Sequence, residues 1–189
     1  MESAEHIILI GDSIVKYIKD WTQMVNGKTR QVKVNCIRGC TYKKLYKKIK
    51  DNEINIAPYK DIILHIGTND LNTYNNSAVN FYFVQLIDEI RSKNSTASII
   101  VSTPIPRPKD HHMSHKDIGK FINWITKNRK QGKYLVWRSD KTFLYPRSGA
   151  GCIPKIKDHG FYHRDGLHIT QTGSDRLEQQ IRMAISHMC

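Results

Sequence analysis

The chain has few cysteines, and it has no long run of hydrophobic residues. Four cysteines among 189 residues are too few for the disulfide framework of a small secreted domain; they are Cys36, Cys40, Cys152 and Cys189. No segment approaches the roughly 20 apolar residues that span a bilayer, and the first ten residues lack the basic flank of a secretory signal. We therefore expect reduced thiols in an intracellular protein, cytoplasmic in location.

The sequence also lacks zinc-ligand spacing and has little acidic charge. Cys36 and Cys40 are too far apart for a zinc-binding CxxC pair, and no second pair follows, so we expect no structural zinc. Only 17 acidic residues oppose 30 Lys and Arg, which gives a formal net charge of +13. A charge of this size favours polyanions as partners, RNA or DNA first and an anionic membrane second, but it confers no sequence specificity.

Internal repeats, low-complexity blocks and linkers are missing too, so we expect one domain over residues 1–189. Five short, β-branched apolar segments predict strands that are buried on both faces; they are residues 6–10, 32–37, 61–66, 98–102 and 134–137. Five stripes with helical spacing accompany them, starting at Ile14, Tyr42, Phe83, Ile118 and Leu177. This alternation predicts an α/β fold, a three-layer α/β/α sandwich with a five-stranded parallel sheet.

Four polar segments stand at the ends of these predicted elements. Gly11-Asp12-Ser13 follows the first strand, Gly39 follows the second, and Gly67-Thr68-Asn69-Asp70 follows the third. The fourth segment, Asp165-Gly166-Leu167-His168, comes just before the last helix. Functional sites of open parallel sheets form at the carboxyl ends of the strands. We therefore expect all four segments at the same edge of the sheet.

These segments contain a possible nucleophile, a base and oxyanion donors. Ser13 would begin the first helix, where unpaired N–H groups favour a developing negative charge, but its hydroxyl needs a base to take the proton. His168 fits that role because Asp165, three residues earlier, can hold its Nδ1–H and leave Nε2 toward Ser13. The N–H groups of Ser13 and Gly39 and the side-chain amide of Asn69 would then form an oxyanion hole.

Each of these residues also has a purely structural interpretation. Ser13 can cap a helix, and Gly39 can serve a turn that needs a positive φ. Asn69 and Asp70 can shape the turn after the third strand. We interpret Asp12 and Asp70 as turn and hydrogen-bonding residues rather than as catalysts.

Other histidines compete with His168 for a functional role. His163 is a rival base, but the order Asp-x-x-His favours His168. His111, His112 and His115 follow a proline-rich stretch, and we expect solvated or substrate-proximal loop histidines there rather than metal ligands. We hypothesise that residues 109–115 form a flap over the cleft.

Together the four segments resemble the SGNH (GDSL-type) hydrolase superfamily over nearly the whole chain. The resemblance implies a flavodoxin-like sheet and the hydrolysis of small acyl esters without a metal or another cofactor. It implies roles for five residues: Ser13 as nucleophile, Gly39 and Asn69 as oxyanion donors, and Asp165 with His168 as the rest of the triad. The usual leucine after the serine is Ile14 here, a conservative departure.

Shorter strings are similar to a narrower group, the esterase domain in the first open-reading-frame protein of some LINE-type retrotransposons. These strings are residues 66–70, 102–107, 123–125 and 165–168. Proteins of that group bind their own RNA, which agrees with the excess positive charge. The sequence has neither a coiled coil nor an RNA-recognition module, so it would be only the esterase part.

Two groups of basic residues could bind a polyanion. The first lies on the outward face of the second predicted helix and consists of Lys43, Lys44, Lys47 and Lys48. The second consists of Lys127, Arg129, Lys130 and Lys133. A single lysine run is usually a solvated helix face, but the net charge of +13 favours a polyanion-binding surface.

These features predict a metal-independent serine esterase that removes short acyl groups, acetyl foremost, from a small ester that could be a lipid. The alternative is a catalytically silent module of the same fold that binds RNA or another polyanion. A third interpretation, a phosphate-bearing ligand at the sheet edge, leaves Asp165 and His168 unexplained. The presence of Ser13, Asp165 and His168 together favours the esterase.

Overall fold

A central six-stranded sheet organises the protein, as seen in a computed structural model that describes residues 4–108, 115–129, 132–144 and 156–188. The strands run in the spatial order β2-β3-β1-β4-β5-β6, and all neighbours are parallel except the antiparallel pair β2–β3. Their bounds are β1 Glu5–Gly11, β2 Trp21–Val25, β3 Lys28–Cys36, β4 Asp61–His65, β5 Ser98–Ser102 and β6 Leu135–Trp137.

The edge strand β2 corrects two predictions, the five-stranded sheet and the first helix. Instead of a helix starting at Ile14, the chain forms one 3₁₀ turn, Ser13–Val15, and then enters β2 at Trp21. Asn26 and Gly27, both with positive φ, connect β2 to β3 as a tight hairpin turn typical of the sequence Asn-Gly. The backbone pairing of β2 with β3 is favoured over the helix that the apolar spacing predicted. This pairing also extends β3 four residues upstream of the predicted strand.

The other predicted helices are confirmed. They are α1 Tyr42–Lys50, α3 Asn76–Lys93, α4 His115–Asn128 and α6 Gln171–Ser186, and two short helices, α2 Thr68–Thr73 and α5 Asp140–Phe143, complete the set among the described residues. Thr41, Asn75 and Thr170 cap α1, α3 and α6 with their side-chain oxygens. No helix in the described ranges is both long and apolar enough to cross a bilayer.

Helices cover the sheet on both sides, which confirms the three-layer α/β/α architecture. On β1, Ile8 and Ile10 pack in a core with α1, α3 and α4, whereas Ile7 and Leu9 pack in a second core with α6. Alternate residues of one strand thus face two different hydrophobic layers, as expected for a parallel strand inside a sandwich.

The register of the three central strands brings the predicted site segments together. Gly11, the last residue of β1, lies beside Cys36 at the end of β3 and beside His65 at the end of β4. The segments that carry Ser13, Gly39 and Asn69 therefore leave the sheet side by side at its carboxyl edge.

Candidate active site

Ser13 lies on a sharp turn directly after β1. Asp12 has an extended backbone, with φ −86° and ψ −158°, and its Oδ1 accepts a hydrogen bond of 2.9 Å from the N–H of Ile14. This cap starts the 3₁₀ turn at Ser13, while Ile14 and Val15 are buried beneath it. Ser13 itself remains partly exposed, as a nucleophile that must meet a substrate requires.

Asp165 and His168 form a hydrogen-bonded pair. The His168 Nδ1 lies 2.8 Å from Asp165 Oδ2, and Asp165 Oδ1 accepts from the N–H groups of Leu167, at 2.8 Å, and His168, at 3.0 Å. The hydrogen bond from His168, together with these backbone N–H groups, holds the pKa of Asp165 well below its ordinary value. An ionised Asp165 fixes the tautomer of His168 that exposes Nε2 as a base.

The loop that carries this pair is a narrow turn closed by backbone pairing. Tyr162 and Ile169 form an antiparallel bridge, and the His163 N–H donates to the His168 carbonyl at 2.9 Å. Asp165 pairs with His168 and not with His163, whose ring instead lies 6.5 Å from the ring of Tyr17. The geometry therefore favours His168 over the rival base.

The turn after β1 and the Asp165–His168 loop adjoin. Tyr17, four residues after Ser13, has its ring beside that of His163. The positive charge of His168 is close enough to the Asp12 carboxyl to lower its pKa. No hydrogen bond joins the Ser13 hydroxyl to another described residue. Catalytic hydrogen bonds commonly tighten only when substrate binds, so this open arrangement is compatible with a nucleophile and base.

Asn69 lies in the first turn of α2, next to Asp12. Its Nδ2 donates to Asp12 Oδ2 at 3.0 Å and to the Cys40 carbonyl at 3.1 Å, so both amide hydrogens are engaged. Gly67, with φ +119°, begins α2, and a Cβ on this residue would lie 2.5 Å from the Tyr42 hydroxyl. Only glycine can make this approach without a rearrangement.

Gly39 occupies the turn between β3 and α1. Its φ is +60°, it is exposed, and a Cβ would meet open space, so the backbone conformation rather than crowding favours glycine. The turn is anchored by the Ile37 N–H, which donates to the Gly11 carbonyl at 2.8 Å. Gly39 therefore lies on a segment fastened to the end of β1, close to the turn of Ser13.

Two buried carboxylates connect these segments, and the sequence did not reveal that role. Both Asp70 oxygens accept from the Tyr42 N–H, at 3.0 and 3.1 Å, which ties the start of α1 to α2. Burial raises the pKa of Asp70 to about 7 and that of Asp12 to about 6. The sequence analysis interpreted Asp12 and Asp70 as turn and hydrogen-bonding residues. It could not show that each of them connects two elements, because their partners are distant in the sequence.

The first basic group lies on α1, as predicted. Lys44 and Lys47 are exposed, Lys48 pairs with Glu53, and the Lys43 ammonium lies 5.1 Å from the centre of the Tyr82 ring. Because α1 begins just after Gly39 and Cys40, its first turn adjoins the edge of the sheet that carries Ser13.

The second basic group lies around the connection between α4 and β6, at the amino edge of the parallel strands. Lys127 and Arg129 are exposed, and Lys133 forms an ion pair of 2.7 Å with Asp88. Lys130 lies outside the described residues, as do His111 and His112 and residues 109–114 of the hypothesised flap.

Solved structures, among them acylhydrolases and a lipase, share this fold. A suggested platelet activating factor from Streptococcus pneumonia is 18% identical, with a TM-score of 0.76 over 96% of this chain and 84% of that one. A lipase/acylhydrolase from Enterococcus faecalis is also 18% identical, with a TM-score of 0.71 over 97% and 96%. The esterase domain of the zebrafish ZfL2-1 retrotransposon ORF1 protein is 22% identical over 95% and 97%, with a TM-score of 0.47.

Proteins of the lipolytic G-D-S-L family from other bacteria match in the same way. No protein-family model matches the sequence, and no curated protein does so either. At these identities the similarity concerns the fold alone. The sheet of this protein has six strands instead of the predicted five, because β2 is added at one edge. The chain therefore has the α/β fold of the SGNH, or GDSL-type, hydrolases.

Proposed function

We propose that the protein is a serine esterase of the SGNH type with Ser13, His168 and Asp165 as its triad. The single observation that carries this proposal is the hydrogen bond of 2.8 Å between Asp165 and His168, presented beside the turn of Ser13. An acid–histidine pair next to a partly exposed serine is the arrangement that activates a hydroxyl for acyl transfer.

The chemistry follows from these groups. Ser13 Oγ attacks the ester carbonyl carbon while its proton moves to His168 Nε2, and the carbonyl π electrons move to oxygen. The N–H groups of Ser13 and Gly39 and the Asn69 amide are the proposed donors to that oxyanion, and the amide would give up its hydrogen bond to Asp12 or to the Cys40 carbonyl to reach it. The tetrahedral intermediate collapses, the alcohol leaves with the proton from His168, and an acyl-Ser13 ester remains. Water, deprotonated by His168, then releases the carboxylic acid and restores Ser13.

We further propose that the substrate is a small ester with a short acyl group, acetyl foremost, and that it could be a lipid. The His168 side chain is 42% exposed and Ser13 is partly exposed, so an ester can approach from outside. Origin in a LINE-type retrotransposon stays a prediction from the sequence strings.

Hydrolysis of p-nitrophenyl acetate, butyrate and octanoate by wild type, Ser13→Ala and Ser77→Ala tests this proposal. Ser77 is an exposed serine in the first turn of α3 and is the matched control. We expect Ser13→Ala to lose about 10⁴-fold or more in kcat, Ser77→Ala to keep wild-type activity, and acetate to be preferred. A folded wild type that is no faster than Ser13→Ala would favour the catalytically silent module instead.

A second candidate function is binding of single-stranded nucleic acid on the surface formed by α1 and α3. Lys43 of α1 adjoins a group of three aromatic side chains: its ammonium lies over the Tyr82 ring, whose centre is 5.3 Å from that of Tyr74 and 5.5 Å from that of Phe81. Phe81 is 57% exposed. A lysine beside aromatic rings, of which Phe81 is exposed, combines phosphate attraction with a stacking surface for a base.

Fluorescence anisotropy with a labelled uridine oligonucleotide at several salt concentrations tests this second function. We expect Phe81→Ala to weaken binding by about 1–3 kcal/mol, as for loss of base stacking. Val84→Ala, an exposed residue on the same helix, is the control that should bind like wild type. Equal affinity of wild type and Phe81→Ala for the oligonucleotide would contradict this function. A protein that binds anionic vesicles but does not bind the oligonucleotide would contradict it as well.

A further inference from the structure

The segment after β5, residues 103–107, forms a firm support at the carboxyl edge of the sheet. All five residues are buried, and the Thr103 hydroxyl donates to Asp140 Oδ1 at 2.7 Å. Pro104 and Pro106 each fix the backbone φ, so the segment has little conformational freedom. A group that is fastened to this segment is therefore fastened to the body of the protein.

This segment interacts with both sides of the candidate site. On one side, the charge of Arg107 lowers the pKa of Asp12, the residue directly before Ser13. On the other side, the Pro106 carbonyl accepts a hydrogen bond of 2.8 Å from the Tyr162 hydroxyl. The segment thus lies between the turn that carries the nucleophile and the loop that carries the base.

Tyr162 stands at the base of that loop. It forms the antiparallel bridge with Ile169, and Asp165 and His168 lie between these two residues. The Tyr162 side chain is buried, and its ring centre lies 6.1 Å from that of Phe143. Burial raises the pKa of Tyr162 well above its ordinary value, so the hydroxyl stays protonated and donates at any working pH.

The hydrogen bonds inside the loop fix its shape but not its place in the molecule. The pair Asp165–His168 and the backbone bond from the His163 N–H to the His168 carbonyl both join residues of the same loop. Neither of them sets the distance between His168 Nε2 and Ser13. The Tyr162 hydroxyl, by contrast, reaches a partner 56 positions away in the sequence.

We propose that Tyr162 is a positioning residue for His168. Its hydrogen bond to the Pro106 carbonyl holds the loop against the segment after β5 and so sets the approach of Nε2 to Ser13. The consequence for catalysis rests on the esterase proposed above, whereas the attachment of the loop does not. Acylation and deacylation both use His168, and reacting groups that lose their alignment lose rate more than they lose substrate binding.

A pair of tyrosine variants tests the catalytic consequence. Tyr162→Phe removes one hydroxyl and keeps the ring, and we expect kcat for p-nitrophenyl acetate to fall about 10-fold or more, with KM within about two-fold of wild type. Tyr134→Phe is the matched control, because the buried hydroxyl of Tyr134 donates to the Ile125 carbonyl at 2.9 Å, at the amino edge of the sheet.

Both variants lose one buried hydrogen bond to a main-chain carbonyl, so their melting temperatures should fall by similar amounts. Only Tyr162→Phe should lose kcat. An unchanged kcat in Tyr162→Phe, or an equal loss of kcat in both variants, would overturn the proposal.

Hydrogen exchange without substrate separates this proposal from the esterase itself. The His163 N–H donates to the His168 carbonyl and the Gly166 N–H donates to the His163 carbonyl, each at 2.9 Å. In ¹⁵N-labelled Tyr162→Phe these two amides should exchange about three- to ten-fold faster than in wild type, and in Tyr134→Phe at the wild-type rate. Unchanged exchange in Tyr162→Phe would overturn the positioning role even in an active esterase. Faster exchange in a protein without hydrolytic activity would support the attachment and contradict only the proposed function.

Discussion

The two edges of the sheet use buried carboxylates in different ways. At the amino edge, Arg30 Nη1 lies 2.9 Å from Asp61 Oδ2 and 2.7 Å from Glu5 Oε2, and Lys60 also pairs with Glu5. At the carboxyl edge, the acids Asp12 and Asp70 instead accept hydrogen bonds from neutral N–H groups. One edge pairs its acids with cations, and the other holds them with backbone and amide donors.

The two arrangements differ in which acids can change their charge near neutral pH. At the amino edge, hydrogen bonding to Lys60 lowers the pKa of Glu5, and burial raises the pKa of Asp61 against the opposing charge of Arg30. At the carboxyl edge, burial raises the pKa of Asp12 to about 6 and that of Asp70 to about 7. Acids that titrate near neutrality are concentrated at functional sites, because their charge can change under working conditions. The acids of the amino edge are thus held by cations, whereas Asp12 and Asp70 at the carboxyl edge have pKa values near neutrality.

The largest expected effect comes from breaking the base at the carboxyl edge. His168→Ala removes the proton acceptor for Ser13 and should lower kcat for acetyl ester hydrolysis by about 10⁴-fold or more, with little change in the melting temperature. His163→Ala is the matched control and should retain most activity, since Asp165 contacts His168. Comparable losses in both variants would contradict the assignment of the base. Initial rates with p-nitrophenyl acetate and thermal melts measure both.

A smaller effect is expected from breaking the ion network at the amino edge. Arg30→Met leaves the buried Asp61 and the half-buried Glu5 without their shared guanidinium and should lower the free energy of unfolding by about 3–5 kcal/mol. The exposed Lys28, whose Nζ lies 3.8 Å from Glu5, is the control, and Lys28→Met should cost at most about 1 kcal/mol. Urea denaturation measures both values. A kcat that falls with Arg30→Met in still-folded protein would show that the edges are not independent.

The smallest effect concerns the pH dependence of stability at the carboxyl edge. A folded pKa of about 6 for Asp12, against 3.8 in the unfolded chain, means that ionisation opposes folding. This cost is absent below about pH 4 and fully present above about pH 6, where it reaches at most about 3 kcal/mol. Wild type should therefore lose more stability than Asp12→Asn as the pH rises from about 4 to 7. Parallel melting curves of the two proteins would contradict the raised pKa.

Much of the fold was predictable because its signals are local. The apolar stripes that begin at Tyr42, Phe83, Ile118 and Leu177 are confirmed as parts of helices, since each buries one face at helical spacing. The helix predicted from the stripe at Ile14 was wrong, because the same apolar residues can also be buried by one 3₁₀ turn followed by a strand. The pair Asn26-Gly27 is a turn sequence typical of hairpins. It identifies a hairpin only when it is read together with the alternating apolar and polar residues on either side of it.

The polar segments that end the central strands can be identified from the sequence alone, and strand order then brings Ser13, Gly39 and Asn69 to one edge. The sequence also determined the Asp165–His168 pair, whose members are three residues apart and meet within one turn. The hydrogen bond between Asp12 and Asn69 is visible only in the folded protein, because the two residues are 57 positions apart in the sequence. The pKa of Asp12 is tertiary as well, because it depends on how completely the folded chain excludes water from the carboxylate.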